Sequence, residues 1–269
     1  MIYIRGLFNF ITDSFANRKL ILKLVNNDLK SRYSGSIIGI GWAFIQPLVT
    51  ILVFWFVFQL GFKNPPVSNV EFILWFIAAY IPWIYFNDAI LATSNCLYEY
   101  SYLVKKIKFR TSLLPIVKVI ASTYVHIFFM IFVIIMYLLY GYDFSLAWLN
   151  IIYYSFCLFI LIIGLSWIVS SISVFFKDFT QIVNIILQIG FWLVPVFWSP
   201  DTMSESIMKI LKLNPLYYII MGYRSCLIDK ISFWQRGPIT FYFWGVAIII
   251  FIIGAITFKK LRVHFADIL

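Results

Sequence analysis

Charged residues are scarce in this chain of 269 residues. Only 12% of the residues are Asp, Glu, Lys or Arg, about half the share usual in a soluble domain, whereas 63% are hydrophobic. A soluble fold of this size cannot remove so much apolar surface from water, and disordered chains have the opposite composition. The composition therefore excludes an ordinary soluble enzyme and a disordered protein, and it indicates a polytopic membrane protein.

Common catalytic and metal-binding motifs are also missing. The sequence contains no GxxxxGK[ST] phosphate loop, no GxSxG and no HExxH. Its two histidines, His126 and His264, lie in different segments, and its three cysteines form no CxxC pair, so neither a metal site nor a disulfide framework is expected. No cleavable signal peptide is expected either. We expect a chain that is not an enzyme, binds no cofactor or metal itself, and transports, conducts or scaffolds.

Long runs without charge are present instead. Thirty uncharged residues separate Arg32 from Lys63, and 33 separate Asp143 from Lys177. A membrane-crossing helix needs roughly 20 apolar residues, and these runs lack the polar–apolar alternation of a barrel strand. The pattern predicts an all-α polytopic fold in one transmembrane domain. The six predicted spans are residues 37–60, 72–93, 113–140, 146–176, 179–198 and 241–258.

The segments outside the spans carry the basic residues. Residues 1–35 are predicted to form an amphipathic helix at the cytoplasmic interface, and residues 201–239 an outer loop with two short re-entrant helices. Lys and Arg concentrate before the first span, between the second and third spans, and in the tail 259–269. The positive-inside rule therefore places both termini in the cytoplasm. The net charge of +10 indicates this topology and no nucleic-acid binding.

Two ionisable residues fall inside predicted spans, where charge is costly. Asp88 lies near the cytoplasmic end of the second span, and Lys118 lies at a similar depth in the third. One hypothesis pairs them across the helix interface. The alternative is that each side chain reaches the headgroups alone.

Several motifs in order along the chain resemble the ABC-2 type transporter permeases, in the branch that exports lipid-linked polysaccharide. They are Asp28–Tyr33 with Gly39, Trp42 and Pro47, then Asn95, residues 103–109, 176–178, 195–197 and 214–216, Arg224, and the tail 258–269. The chain departs from the family pattern at Arg110, where a proline is usual, and at Lys177, where an arginine is common.

The resemblance implies half of a transporter in the bacterial cytoplasmic membrane. Two copies of the chain would work with two copies of a separate ATPase subunit, which would hold ATP and Mg. The implied substrate is a lipid-linked polysaccharide, with O-antigen on an undecaprenyl diphosphate carrier favoured over capsule or teichoic acid. The alternatives are an ABC-2 exporter of a drug or small lipid, a proton-coupled carrier, and a scaffold or channel.

The resemblance also suggests site residues. Aromatic rings can stack on the apolar faces of sugars, and in the family the first and fifth spans line the channel. The channel candidates are Trp42, Phe44, Trp55, Trp192, Phe197 and Trp198. The headgroup or gate candidates are Lys30, Arg32 and Arg224, although Arg224 could equally form a salt bridge with Asp201, Glu205 or Asp229. The candidates for contact with the ATPase are Glu99, Lys105 and Lys106.

Overall fold

The computed structural model describes residues 18–62, 66–67, 70–105 and 110–269. These residues form helices joined by short turns, and among them the only β-type pairing is an isolated bridge between Val67 and Val70. The predicted all-α fold is therefore confirmed.

Twelve α-helices follow one another in the described residues. They are α1 (Arg18–Arg32), α2 (Trp42–Phe54), α3 (Phe72–Ser94), α4 (Cys96–Glu99), α5 (Ser101–Val104), α6 (Leu113–Leu139), α7 (Asn150–Ser173), α8 (Phe179–Leu193), α9 (Glu205–Leu211), α10 (Pro215–Leu227), α11 (Pro238–Leu261) and α12 (Phe265–Ile268). A 3₁₀ turn, Gly39–Gly41, leads into α2, and a π-helical turn, Trp55–Gly61, continues it.

Five of the six predicted spans correspond to helices long and apolar enough to cross a membrane. The fifth is shorter than predicted, because α8 ends at Leu193 and contains 15 residues. At 1.5 Å per residue it is about 22 Å long, less than the roughly 30 Å of a hydrocarbon core. Val194 takes an extended backbone conformation, and Pro195 follows it. The helical part of this span therefore ends five residues before the predicted boundary at residue 198, close to Pro195, where a proline disrupts a helix.

Proline affects the predicted spans unequally. Helices α2 and α3 continue through Pro47 and Pro82, although each proline removes one backbone donor. Pro215 and Pro238 instead occupy the first positions of α10 and α11, where no backbone donor is needed.

The side chain of Asn214 accepts a hydrogen bond from Leu216 N (3.0 Å) and caps α10. Residues 201–239 contain two short α-helices, α9 and α10, as predicted.

Helix α3 forms the centre of the bundle. Most of its residues are buried, and it packs against α6, α7, α8 and α10. Two backbones approach closely elsewhere, between α7 and α11, where a Cβ added to Gly254 would collide with the carbonyl oxygen of Gly164. In contrast, α2 contains one buried residue, Ile51, and α8 contains two, Val183 and Leu187.

Helix α1 lies against the beginning of α6. Ile21 and Val25 pack on Leu113 and Val117, so the predicted helical periodicity of this segment is confirmed. The buried face also contains Asp28, which is 0% exposed. A buried carboxylate in a basic helix requires partners, and these partners form the first part of the candidate site.

Candidate functional site

A network of five ionised groups joins α1 to the bundle. Arg32 Nε lies 2.8 Å from Asp28 Oδ2, and Arg32 Nη1 lies 3.3 Å from Asp88 Oδ2. Lys118 Nζ lies 2.5 Å from both Asp28 Oδ1 and Glu99 Oε2. Asp28 is therefore held by one cation from its own helix and by one from α6.

Two hydroxyl groups complete the network. Tyr100 donates a hydrogen bond to Asp28 Oδ1 (2.9 Å), and Ser122 donates one to Asp88 Oδ2 (2.5 Å). Burial, helped by the neighbouring Asp28 carboxylate, raises the pKa of Tyr100 above its ordinary value, so this hydroxyl keeps its proton as a donor. Burial by itself lowers the pKa of Arg32, but Asp88 and Asp28 outweigh it, and the net direction is upward.

The predicted direct pair between Asp88 and Lys118 is not formed. Both residues belong to the same network, but Lys118 contacts Asp28 and Glu99, whereas Asp88 contacts Arg32 and Ser122. The sequence could not reveal this arrangement, because the intervening carboxylate comes from α1, which was expected to lie apart at the interface.

A cavity of about 390 Å³ opens beside this network. Helices α1, α2, α3, α6 and α8 all contribute to its lining. Arg32 and Asp88 are its charged residues, and its volume lies within the usual range of small-molecule sites. Its aromatic lining residues are Tyr33, Trp42, Phe54, Tyr80, Trp83, Tyr85, Phe129 and Phe191.

Three carboxamides also line the cavity, and sequence reasoning missed them. Gln46, Asn87 and Gln188 come from α2, α3 and α8. Gln46 follows Trp42 by four residues and Gln188 precedes Trp192 by four, so in both helices an amide and a tryptophan share one face. Amides within apolar spans are costly and usually mark a polar path, and this signal was readable in the sequence.

The predicted channel aromatics separate into groups. Trp42 lines the cavity, and its Nε1 donates to Ser36 Oγ (2.9 Å). Phe44 packs edge-to-face on Phe128 of α6, and Trp55 is half-buried against the core. Neither Phe44 nor Trp55 lines the cavity.

The aromatics at the end of α8 lie beyond the cavity lining. Trp192 is 67% exposed, and its carbonyl oxygen accepts a hydrogen bond from Trp198 Nε1 (3.0 Å). Phe197 packs between Phe76 and Phe191. Of these three, Trp192 is the most available for contact with a transported molecule.

Arg224 is buried in α10. Its Nε donates to Trp75 O (3.2 Å), its Nη2 donates to Val196 O (2.9 Å), and its guanidinium carbon lies 3.3 Å from the centre of the Trp75 ring. No carboxylate in the described segments pairs with it, so the predicted salt bridge is not formed. At 3% exposure it is also closed to a headgroup in this conformation. Arg224, in α10, therefore connects residues 194–198 with α3.

The remaining charged candidates differ in exposure and in the partners that they contact. Lys30 and Lys105 are exposed, and Lys106 lies outside the described residues. Arg32 is engaged by two carboxylates, as described above, and Glu99 contacts Lys118 while its side chain remains 51% exposed. The roles of Glu99 and Lys105 at an ATPase interface stay predictions, and so does the headgroup role of Lys30.

His126 lies at the border between the cavity and the core. Its Nε2 is within hydrogen-bond distance of Ser155 Oγ (3.1 Å) and Tyr223 OH (3.0 Å), and its ring stacks on Tyr85. The buried Nδ1 has no partner. These contacts are those of a packed, hydrogen-bonded side chain.

The sequence is similar to those of several known membrane transport proteins. Two relatives from Klebsiella pneumoniae, both called O-antigen export system permease protein RfbA, are 28% identical over 255 residues, which are 93% of this chain and 95% of each relative. A protein of the same name from Myxococcus xanthus is 24% identical over 230 residues, 83% of this chain and 85% of its own. The model of the ABC-2 type transporter family matches residues 19–228. Since that match covers most of a helical membrane bundle, the chain belongs to the ABC-2 type transporter family.

Proposed function

We propose that this chain is the membrane subunit of an ATP-driven exporter of a lipid-linked polysaccharide, and specifically of O-antigen. The main support is the similarity to three O-antigen export permeases over most of the chain. Energy would come from a separate ATPase subunit, because the sequence lacks a phosphate-binding loop.

The surface of α2 and α8 supports a polysaccharide path. Trp42, Gln46 and Thr50 lie four residues apart on α2, and Gln188 and Trp192 lie four residues apart on α8. Each helix therefore carries a stripe of aromatic and hydrogen-bonding side chains. Aromatic rings bind the apolar faces of sugars, and amides bind their hydroxyl groups.

The same stripes support a dimer. Trp42, Gln46, Gln188 and Trp192 are exposed in the single chain, and lipid is a poor solvent for unpaired amides. Two copies that face each other across these stripes would enclose a polar path between them. The exporter would lie in the inner membrane, with both termini of this chain in the cytoplasm. On that cytoplasmic side, α4, α5 and Lys105 would contact the ATPase.

Deletion of the gene in its native bacterium tests this function. We expect surface polymer to disappear and lipid-linked polymer to accumulate inside the cell, and we expect the gene supplied in trans to restore export. The affinity-tagged chain should also co-purify with an ATPase subunit. Undiminished surface polymer in the deletion strain would contradict the proposal, and so would purification without any ATPase, since the family role requires an external source of energy.

A further inference from the structure

The charges beside the cavity offer an anionic ligand no net attraction, because the two that line it, Arg32 and Asp88, cancel. Asp28, Asp88 and Glu99 face Arg32 and Lys118 in one network, so the five ionised groups sum to one negative charge. The side chain of Arg32 is 16% exposed, whereas that of Asp88 is 45% exposed. The carboxylate is therefore more accessible than the guanidinium.

Asp88 retains hydrogen-bonding capacity. The donors Arg32 Nη1 and Ser122 Oγ both contact Oδ2. Within the parts of the chain that the structure describes, no donor is recorded for Oδ1. A carboxylate oxygen is an acceptor only, so this atom suits a hydroxyl donor and repels a phosphate or a second carboxylate.

The carboxamides of Gln46, Asn87 and Gln188 have no recorded side-chain partner among the described residues. Each amide offers two N–H donors and one acceptor oxygen. Polar groups at this depth lose free energy unless a ligand or water satisfies them. Three amides from three different helices thus surround one space, and the unpartnered Nδ1 of His126 borders the same space.

Aromatic rings supply the other half of a sugar site. Trp42, Trp83 and Phe191 line the cavity. Their apolar faces match the C–H faces of a pyranose, while neighbouring amides and Asp88 match its hydroxyl groups. This combination of surfaces suits a ligand that is hydroxyl-rich and carries no charge.

We propose that the cavity between α1, α2, α3, α6 and α8 is a binding site for uncharged sugar residues, and that Asp88 makes it discriminate against anionic sugars. The proposal rests on the proposed function and names the class of sugar that the site accepts. Arg32 then acts as a positioning residue for Asp88 and does not bind a diphosphate.

Direct binding to the full-length protein in lipid nanodiscs tests the site. The probes are maltohexaose, which is neutral, and hexagalacturonate, which has similar length and carries carboxylates. Quenching of tryptophan fluorescence and isothermal calorimetry report binding. The variants are Gln46→Leu, Gln188→Leu and the isosteric Asp88→Asn, with Gln181→Leu as a matched control, because Gln181 is an exposed amide of α8 that does not line the cavity.

We expect the wild type to bind maltohexaose at least five times more tightly than hexagalacturonate. Gln46→Leu and Gln188→Leu should each weaken maltohexaose binding at least fivefold, Gln181→Leu should not change it, and Asp88→Asn should reduce the preference for the neutral probe. The site is overturned if the wild type binds no maltohexaose, if it binds both probes equally, or if the two cavity amide variants bind like the wild type.

The gene deletion separates this proposal from the proposed function. Loss of export in the deletion strain, combined with unchanged probe binding in the amide variants, would reject the sugar site and leave the function standing. Normal export without the gene would reject the function, whatever the probes show.

Discussion

Lys118 Nζ lies 2.5 Å from Asp28 Oδ1 and 2.5 Å from Glu99 Oε2. One buried ammonium group therefore connects α1 with α4, the short helix that follows the second span. Glu99, at the end of α4, is a predicted contact with an ATPase subunit. A displacement of α4 would act on Asp28 through Lys118, and Asp28 also holds Arg32 beside the cavity.

Replacing Lys118 should destabilise the protein strongly. Lys118→Met leaves the buried carboxylate of Asp28 without one of its two cations, and removal of one partner of a buried pair costs about 3–5 kcal/mol. Thermal unfolding in detergent measures this loss. Lys19→Met, at an exposed position of α1, should change the stability by less than about 0.5 kcal/mol.

The double variant Asp28→Asn/Lys118→Met checks whether the pair acts as a unit. Its loss of stability should be smaller than the sum of the two single losses, because the second change removes a group that is already unpaired. Additive losses would contradict direct coupling.

The contact between α7 and α11 predicts a sharp difference between two glycines of the same helix. A Cβ at Gly254 would meet the carbonyl oxygen of Gly164, whereas a Cβ at Gly245 meets nothing within 4 Å. Gly254→Ala should separate the helices and cost about 1–3 kcal/mol, while Gly245→Ala should be neutral or slightly stabilising. Thermal unfolding of both variants provides the comparison, and equal melting temperatures would contradict the close packing.

Replacement of Arg224 by lysine should reduce both stability and export. The guanidinium donates to two carbonyl oxygens and stacks on Trp75, and a lysine ammonium cannot reproduce that planar arrangement. Arg224→Lys should lose about 1–3 kcal/mol of stability. It should also lower export several-fold, because residues 194–198 lose their hydrogen bond to α10. Export and melting temperature are measured together. Full export by Arg224→Lys would show that the planar contact is dispensable.

Trp192 should matter for transport and little for folding. Trp192→Ala is expected to slow export without lowering protein abundance, because its exposed ring is a candidate sugar contact. Trp234→Ala is a matched control, since Trp192 is 67% exposed and Trp234, in the outer loop, is 68% exposed. Pulse-chase measurement of surface polymer, with immunoblots for abundance, compares them. Equal export by both variants would exclude Trp192 from the path.

Charge reversal at Lys105 and Lys106 should uncouple ATP hydrolysis from export. The double variant Lys105→Glu/Lys106→Glu is expected to insert normally and to retain ATPase activity in the purified complex while export falls, because interface charges orient docking partners. Reversal of Lys209 and Lys212, which lie within the predicted outer loop 201–239, serves as the control and should leave coupling intact. Unchanged coupling in the first variant would reject this interface.

The helical architecture was predictable because the membrane imposes it. A hydrocarbon core forces backbone groups to satisfy one another inside each segment, so uncharged runs such as the one between Arg32 and Lys63 mark spans without knowledge of their neighbours. The end of α8 at Leu193 was harder to predict, since residues 194–198 are as apolar as the helix before them and only Pro195 indicates the break.

The partners of the polar residues were not predictable in the same way. Asp88 and Lys118 were recognised as costly and as requiring partners, yet the structure gives each a partner from an unexpected element. Arg224 was expected to meet a carboxylate or a phosphate, and it meets two backbone carbonyls and an indole ring. A sequence records that a charge must be compensated, but the compensating group depends on which helix faces come together.

The sequence by itself therefore determined that this is a helical membrane protein, where most of its spans lie and which family it resembles. These properties follow from local composition and from motifs in order. Only the tertiary structure decided that Asp28 is buried between two cations, that Arg32 is neutralised, and that three amides from separate helices line one cavity. Apart from the Asp28–Arg32 pair within α1, those relationships join residues from about 40 to just over 140 positions apart, and packing of the helices brings them within hydrogen-bonding or binding distance.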